Sequence, residues 1–158
     1  YALHKEIAAY YNIPYYHVSV TKKDKKEADI LELVQQETDF LVLARYMQVL
    51  SGTFIDNYKK DIINVHHSLL PAFKGGNPYK QAYNHGVKLI GATAHFVTEV
   101  LDDGPIIEQD VVQINHRHSV EDIKSQGEVV EKKVLAESCR LYARHRIVRD
   151  QTRTVVFK

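Results

Sequence analysis

Asn64 and His66 stand two residues apart in Ile62-Ile63-Asn64-Val65-His66, a run rich in β-branched residues that ends in a loop. A strand repeats every second residue, so both side chains project from the same face. An amide donor beside an imidazole suits one task well, the stabilisation of negative charge developing on a carbonyl oxygen. A strand-end Asn and His also serve ordinary loop hydrogen bonding, and the residue types alone leave both readings open. Asp102 and Asp103 precede Gly104-Pro105, and Asp-Gly turns form for conformational reasons alone. A carboxylate opposite the Asn/His pair would orient or deprotonate a water attacking the same carbonyl. His95, set among Ala94, Phe96 and Val97, reads better as a satisfied, partly buried histidine than as a catalytic one.

Other chemistries find less support. The nine histidines are scattered apart from His66-His67 and His116-Arg117-His118. No Cys/His or Asp/His grouping has structural-zinc spacing and HExxH is absent, so no metal is expected. His116 and His118 precede a helix start and read as exposed loop residues. Gly75-Gly76 follows Phe73-Lys74 without a GxGxxG or Walker pattern, so nucleotide binding is unsupported and the glycines would instead let backbone approach a ligand. Tyr79 and Tyr83, two of ten tyrosines, fit a core or a subunit contact equally. The net charge is +1, and the one dense basic cluster, Lys22 to Lys26, contains Asp24 and precedes Glu27. It reads as a solvated helix start, which leaves a nucleic-acid or membrane-surface partner without electrostatic support. Cys139 is the only cysteine; it allows no internal disulfide, reads as a small core residue in a helix, and implies a reducing, cytoplasmic setting. No apolar run approaches the roughly 18 residues of a membrane span.

The elements that must position Asn64, His66 and Asp102 follow from periodicity. With 158 residues, 44% of them apolar, the chain fits one domain, and domains of this size bury roughly two-thirds of their unfolded surface. Leu3, Ile7, Ala8 and Tyr11 repeat at helical spacing, Asn12-Ile13-Pro14 breaks the pattern, and Tyr15 to Val20 alternates like a strand. Lys25 to Gln36 predicts a helix, Phe40 to Ala44 a buried strand, Ser51 to about Lys59 a capped helix, and Ile62 to Val65 the next strand. His66 to Asn77 is a loop, followed by a helix from Pro78 to His85 with proline in its first turn. Lys88 to Thr98 and Ile106 to Ile114 read as strands around the turn 102–105. Ser119 and Asp122 resemble a capping box opening a long helix to about Arg146, and Thr152 to Phe157 forms a last strand. The alternation predicts an α/β fold with a mainly parallel, Rossmann-like open sheet flanked by helices. Asn64 and His66 then lie at the carboxyl end of a strand, where such sheets place their ligand crevices.

At this point the residues match a known pattern. Asn64-Val65-His66-His67-Ser68-Leu69-Leu70-Pro71 resembles the Asn-x-His-x-Ser-Leu-Leu-Pro motif of the folate-dependent formyltransferase superfamily. Gly91-Ala92-Thr93-Ala94-His95-Phe96-Val97 with Leu101-Asp102-Asp103-Gly104-Pro105-Ile106-Ile107 is similar to its His-x6-Asp-x-Gly segment. The resemblance runs from about Tyr11 to the C-terminus, and the two motifs together are highly specific. Within the superfamily the likeness is greatest to the formyltetrahydrofolate deformylases, on the doubled histidine, Pro78-Tyr79-Lys80-Gln81-Ala82-Tyr83, and Gly104 to Asp110. Glycinamide ribonucleotide formyltransferases resemble the chain closely but usually carry proline where His67 stands. Methionyl-tRNA formyltransferases depart further around His95 and carry an extra C-terminal domain.

The resemblance implies the rest. Asn64 donates to the formyl oxygen, His66 polarises it and stabilises the oxyanion, and Asp102, seven positions after His95, holds or activates water, whereas Asp103 does not act. The pterin and formyl end would lie near Met47, Gln48 and Leu50, with His95 and Gly104 also in the substrate site; Gln48 stands where many relatives carry a basic residue. The implied reaction is hydrolysis of 10-formyltetrahydrofolate to formate and tetrahydrofolate, in one-carbon balance and purine biosynthesis, with no cofactor beyond the folate. Two alternatives stand beside it: transfer of the formyl group to glycinamide ribonucleotide, and a non-catalytic folate-binding fragment. Residues 1–158 are expected to be a formyltransferase-type catalytic domain lacking its first strand and an N-terminal ACT-type domain, and to form a homo-oligomer through an exposed sheet edge.

Overall fold

The helical spacing of Leu3, Ile7 and Ala8 is realised in α1 (Ala2–Tyr10). Asn12, at φ 54°, takes the left-handed position after the helix. Its N–H donates to the Ala9 carbonyl at 3.1 Å and the Ile13 N–H to the Ala8 carbonyl at 2.8 Å, a Schellman closure. The computed structural model describes residues 2–18, 23–74 and 76–158. Residues 13–18 adopt no regular structure, so the strand expected from Tyr15 does not form there; its last residues, Ser19 and Val20, lie outside the described residues, as does Gly75. The next helix, α2 (Lys23–Val34), ends where the Thr38 hydroxyl donates to the Val34 carbonyl at 2.6 Å. Residues up to Thr38 form one compact unit and Asp39 to Lys158 a second.

The second unit carries the sheet. Strands β1 (Leu41–Leu43), β2 (Ile62–His66), β3 (Leu89–Phe96) and β4 (Ile106–Gln113) lie in that spatial order. Between β1 and β2 runs α3 (Gly52–Tyr58), with the Ser51 hydroxyl accepting from the Phe54 N–H at 3.1 Å and Lys59 left-handed at its end. That crossover makes β1 and β2 parallel. The other two pairings, β2 with β3 and β3 with β4, are antiparallel. The sheet is therefore mixed rather than mainly parallel. The loop 97–105 between β3 and β4 is shorter than the dozen or so residues that a parallel crossover needs. Alternating strand and helix segments look alike in sequence whichever way the strands point.

One helix covers most of one sheet face. Ser119 and Asp122 form the expected capping box for α5 (Val120–Ala143), which buries Ile123, Gly127, Val130, Glu131, Val134, Ser138 and Leu141. Val130 and Val134 pack on Val65, Ala92 and Ala94; Leu135 and Tyr142 pack on Ile63, Phe96 and Ile107. Between β2 and β3, α4 (Pro78–His85) occupies the expected span, its Ala82 packed with Ile90, Ile114 and Ile123. Each fully buried aliphatic side chain contributes about 1.5–3 kcal/mol. After α5 the chain turns through left-handed His145 into β5 (Ile147–Asp150), which pairs with β6 (Arg153–Val156) around left-handed Gln151. Only the second strand of that hairpin was expected.

Candidate active site

Ile63 and Val65 face α5, so the alternate residues Asn64 and His66 face the other side of the sheet. Register adds a third side chain on that side, because His95 lies opposite Asn64 across the β2–β3 pair. The Asn64 amide nitrogen stands 3.3 Å from His95 Nε2, and His95 Nδ1 stands 2.9 Å from the Phe96 carbonyl. A carbonyl only accepts, so Nδ1 carries the proton and Nε2 receives an N–H from Asn64. Burial, the largest influence, pushes the His95 imidazole below its ordinary value, against opposing pulls from the Phe96 carbonyl and the Asp102 charge. His95 is thus a neutral acceptor that orients the Asn64 amide.

Asp102 comes from the loop 97–105 and completes the cluster. It is buried in the left-handed region at φ 53°, which aspartate tolerates better than most residues. One carboxylate oxygen lies 3.4 Å from His66 Nδ1, the other 3.8 Å from His95 Nε2. His66 Nε2 is committed as a donor to the Phe73 carbonyl at 3.0 Å, so the Nδ1 edge faces the carboxylate. Both separations exceed a good hydrogen bond, so the two rings stand at ion-pair distance from the Asp102 carboxylate. Its neighbour Asp103 points elsewhere: Lys74 donates to it at 2.6 Å, tying the loop after β2 to the loop carrying Asp102 and holding the Asp103 carboxyl below its usual range.

Above these polar groups lies a cavity of about 230 Å³. Its floor is Asn64, His66, His95 and Asp102; one wall runs from Tyr46 to Leu50 and another from Val97 to Leu101. Met47, Val49, Val100 and Leu101 are exposed around it, an apolar rim over a polar floor. Met47, Gln48, Leu50 and His95, the residues expected in the substrate site, line this cavity. Gly104 does not. A Cβ on Gly104 would sit 1.7 Å from the Phe96 carbonyl oxygen, so its bare backbone is what lets the Asp102 loop close against β3. Among the described residues no group of three or more His, Cys, Asp and Glu side chains is arranged to hold a metal ion.

Residues 3–139 match the model of the formyl transferase family. The chain belongs to this family. It is 57% identical over 148 residues to formyltetrahydrofolate deformylase 1, mitochondrial, of Arabidopsis thaliana, covering 93% of this chain and 46% of that protein. The crystal structure of a formyltetrahydrofolate deformylase from Pseudomonas syringae pv. tomato matches with a TM-score of 0.91 at 46% identity, over 98% of this chain and 53% of that one. Glycinamide ribonucleotide transformylase 1 from Symbiobacterium toebii matches with a TM-score of 0.89 at 33% identity, over 97% of this chain and 74% of that one. This formyl transferase chain spans about half the length of the curated relatives it matches.

Behind the floor of the formyl transferase site lies a second layer of polar groups that sequence reasoning missed. Fully buried Thr93 donates to the Ser68 carbonyl at 2.7 Å and accepts from the Leu70 N–H at 3.0 Å and from Gln109 at 2.8 Å. Ser68 donates to the Ala72 carbonyl at 2.5 Å. Together they fix the loop that supplies the Phe73 carbonyl to His66. On the helix side, Glu131 of α5 takes a hydrogen bond from the Tyr79 hydroxyl and lies 2.8 Å from His67 Nδ1, an ion-pair contact. Burial raises the Glu131 carboxyl, but the His67 and Tyr79 contacts outweigh it and hold the group ionised below its usual range. The one sequence signal was a glutamate among the buried positions of the α5 stripe.

Proposed function

We propose that this chain carries the catalytic site of a 10-formyltetrahydrofolate hydrolase, releasing formate and tetrahydrofolate. A folate ring would enter between the walls 46–50 and 97–101, where flat apolar contact is available, with the formyl group at the polar floor. Asp102 accepts a proton from a water beside it as the water oxygen bonds to the formyl carbon. The carbonyl oxygen becomes an oxyanion, which takes an N–H from Asn64 and, when His66 carries a proton on Nδ1, a second donor from that ring. Collapse of the intermediate breaks the carbon–nitrogen bond, the nitrogen takes a proton, and formate leaves.

The observation that carries this reading is the convergence of Asn64, His66 and the Asp102 carboxylate on one face of β2, at the floor of an apolar slot. A pure binder has no need for a carboxylate beside an oxyanion donor pair. Transfer to glycinamide ribonucleotide is the second reading; the lower identity to the transformylase, 33% against 46% for the deformylase structure, favours water. We further propose a reducing, cytoplasmic setting, supported by the single Cys139, a role in one-carbon balance and purine biosynthesis, and a homo-oligomeric state.

The experiment is formate release from 10-formyltetrahydrofolate, with and without glycinamide ribonucleotide, by this chain and by Asp102→Ala. Formate without the nucleotide, lowered at least roughly a hundredfold in the variant, is the expected result. Formyl transfer only when the nucleotide is present moves the assignment to a transferase. Folate binding with neither product leaves a binding module.

A further inference from the structure

His67 lines the main cavity and also a smaller apolar one of about 190 Å³ between the loop after β2 and α4; it is the residue the two linings share. Its side chain, 19% exposed, is held from behind. Nδ1 lies 2.8 Å from the buried Glu131 carboxylate, which also accepts from the Tyr79 hydroxyl. Tyr79 is itself seated by packing, since its ring lies where a Cβ on Gly127 would be, 2.3 Å from that position. Since Glu131 is held ionised, it accepts and Nδ1 carries the proton. Nε2 is then the ring nitrogen not turned toward Glu131.

Those contacts make an imidazole whose tautomer is set and whose positive form has a buried counter-charge. We propose that His67 is a second proton-carrying group of the pocket, and that Glu131 and Tyr79 are positioning residues acting through it. The proposal rests on the hydrolytic reading above and supplies the step that Asp102 does not. When the carbon–nitrogen bond breaks, its electron pair stays on the departing nitrogen, which must gain a proton. The Nε2–H of the His67 imidazolium gives that proton and becomes neutral. Asp102 returns to solvent the proton it took from water, His67 regains one from solvent, and the released formic acid loses its own proton, so water and formyl amide give formate, amine and one proton. The groups facing His67 are Glu131 from α5, Tyr79 from α4 at a ring distance of 6.1 Å, and His66 from β2 at 6.4 Å. Glu128 and Arg45, 2.6 Å apart, stand beside Glu131.

The test compares the kcat and KM profiles against pH for the unmodified chain, Glu131→Gln, Tyr79→Phe, His67→Asn and the Glu131→Gln/His67→Asn pair, with thermal unfolding as the check on folding. Glu131→Gln keeps the shape and removes the charge. It should lower kcat by on the order of tenfold with KM within about twofold. Tyr79→Phe should do the same to a smaller extent. His67→Asn should lower kcat by roughly a hundredfold and make Glu131→Gln silent when the two are combined. A folded Glu131→Gln with the parent kcat and profile overturns this inference alone, as does an additive double variant. No formate from the unmodified chain overturns the hydrolytic reading and this inference with it.

Discussion

Asn64 and His95 face each other across the β2–β3 pair, amide nitrogen to Nε2 at 3.3 Å. Because the other ring nitrogen of His95 donates to the Phe96 carbonyl, the contact has one direction. The amide nitrogen points toward His95 and spends one of its two N–H groups there, leaving the second for a ligand. His95 therefore aims the amide that we propose as the oxyanion donor.

Asn64→Ala should lower turnover by roughly a hundredfold, the usual loss for one oxyanion donor. His95→Ala should cost on the order of tenfold by loosening the same amide, and should cost nothing further in the Asn64→Ala background. Single-turnover formate release on the three variants checks this. Independent, additive losses would give His95 a role of its own.

The imidazole of His95 also ties stability to pH. Burial keeps it below the ordinary histidine value of 6.5, so between its folded value and 6.5 the unfolded chain binds a proton that the folded chain refuses. Stability from this group is complete above 6.5 and is lost as pH falls through that window. Thermal unfolding from about pH 8 to about pH 5.5 should show a steeper loss in the parent than in His95→Gln. Parallel slopes would mean that another histidine carries the effect.

What the sequence made legible was local. The Ser119 box, the helix from Pro78 and the shared face of Asn64 and His66 each follow from spacing within a few residues, and all three appear where they were expected. The direction of the β2–β3 return was not legible, since a helix between the two strands reads the same for parallel and antiparallel returns. Nor was Ile147 as a strand start, because the chain leaves α5 through a left-handed His145 that its residue type does not require. Glu131 shows the limit most clearly. Its partners, His67 and Tyr79, lie 64 and 52 positions away in the chain, and only the fold brings them to one carboxylate.

Gly127 offers a test of that assembly. Glycine inside a helix normally gives up about 0.5–1 kcal/mol relative to alanine, so Gly127→Ala would stabilise α5 if space allowed. Here the new methyl would meet the Tyr79 ring at 2.3 Å, one helical turn from Glu131. Displacing the ring should reverse the sign and cost about 1–3 kcal/mol, read as a lower Tm. Gly52→Ala, with nothing within 4 Å of the added Cβ, is the control and should be neutral or stabilising. Equal behaviour of the two variants would show that Tyr79 yields freely.

Gly104 separates positioning from binding. Expected from the sequence to contact substrate, it instead lies against the Phe96 carbonyl, where an added Cβ would be 1.7 Å from the oxygen and 3.3 Å from Thr98 Cγ2. Phe96 also donates its N–H to the Pro105 carbonyl at 2.9 Å, so both sides of this contact are backbone and cannot move cheaply. Gly104→Ala must therefore lift the loop that carries Asp102, two residues earlier, away from His66 and His95. A shift of about 1 Å in a catalytic group can cost about a hundredfold in rate. The expected signature is a large fall in kcat with little change in KM for the folate, accompanied by a lower Tm. If Gly104 instead supplied backbone contact to the substrate, KM would rise while kcat held, and steady-state kinetics on the purified variant distinguishes the two.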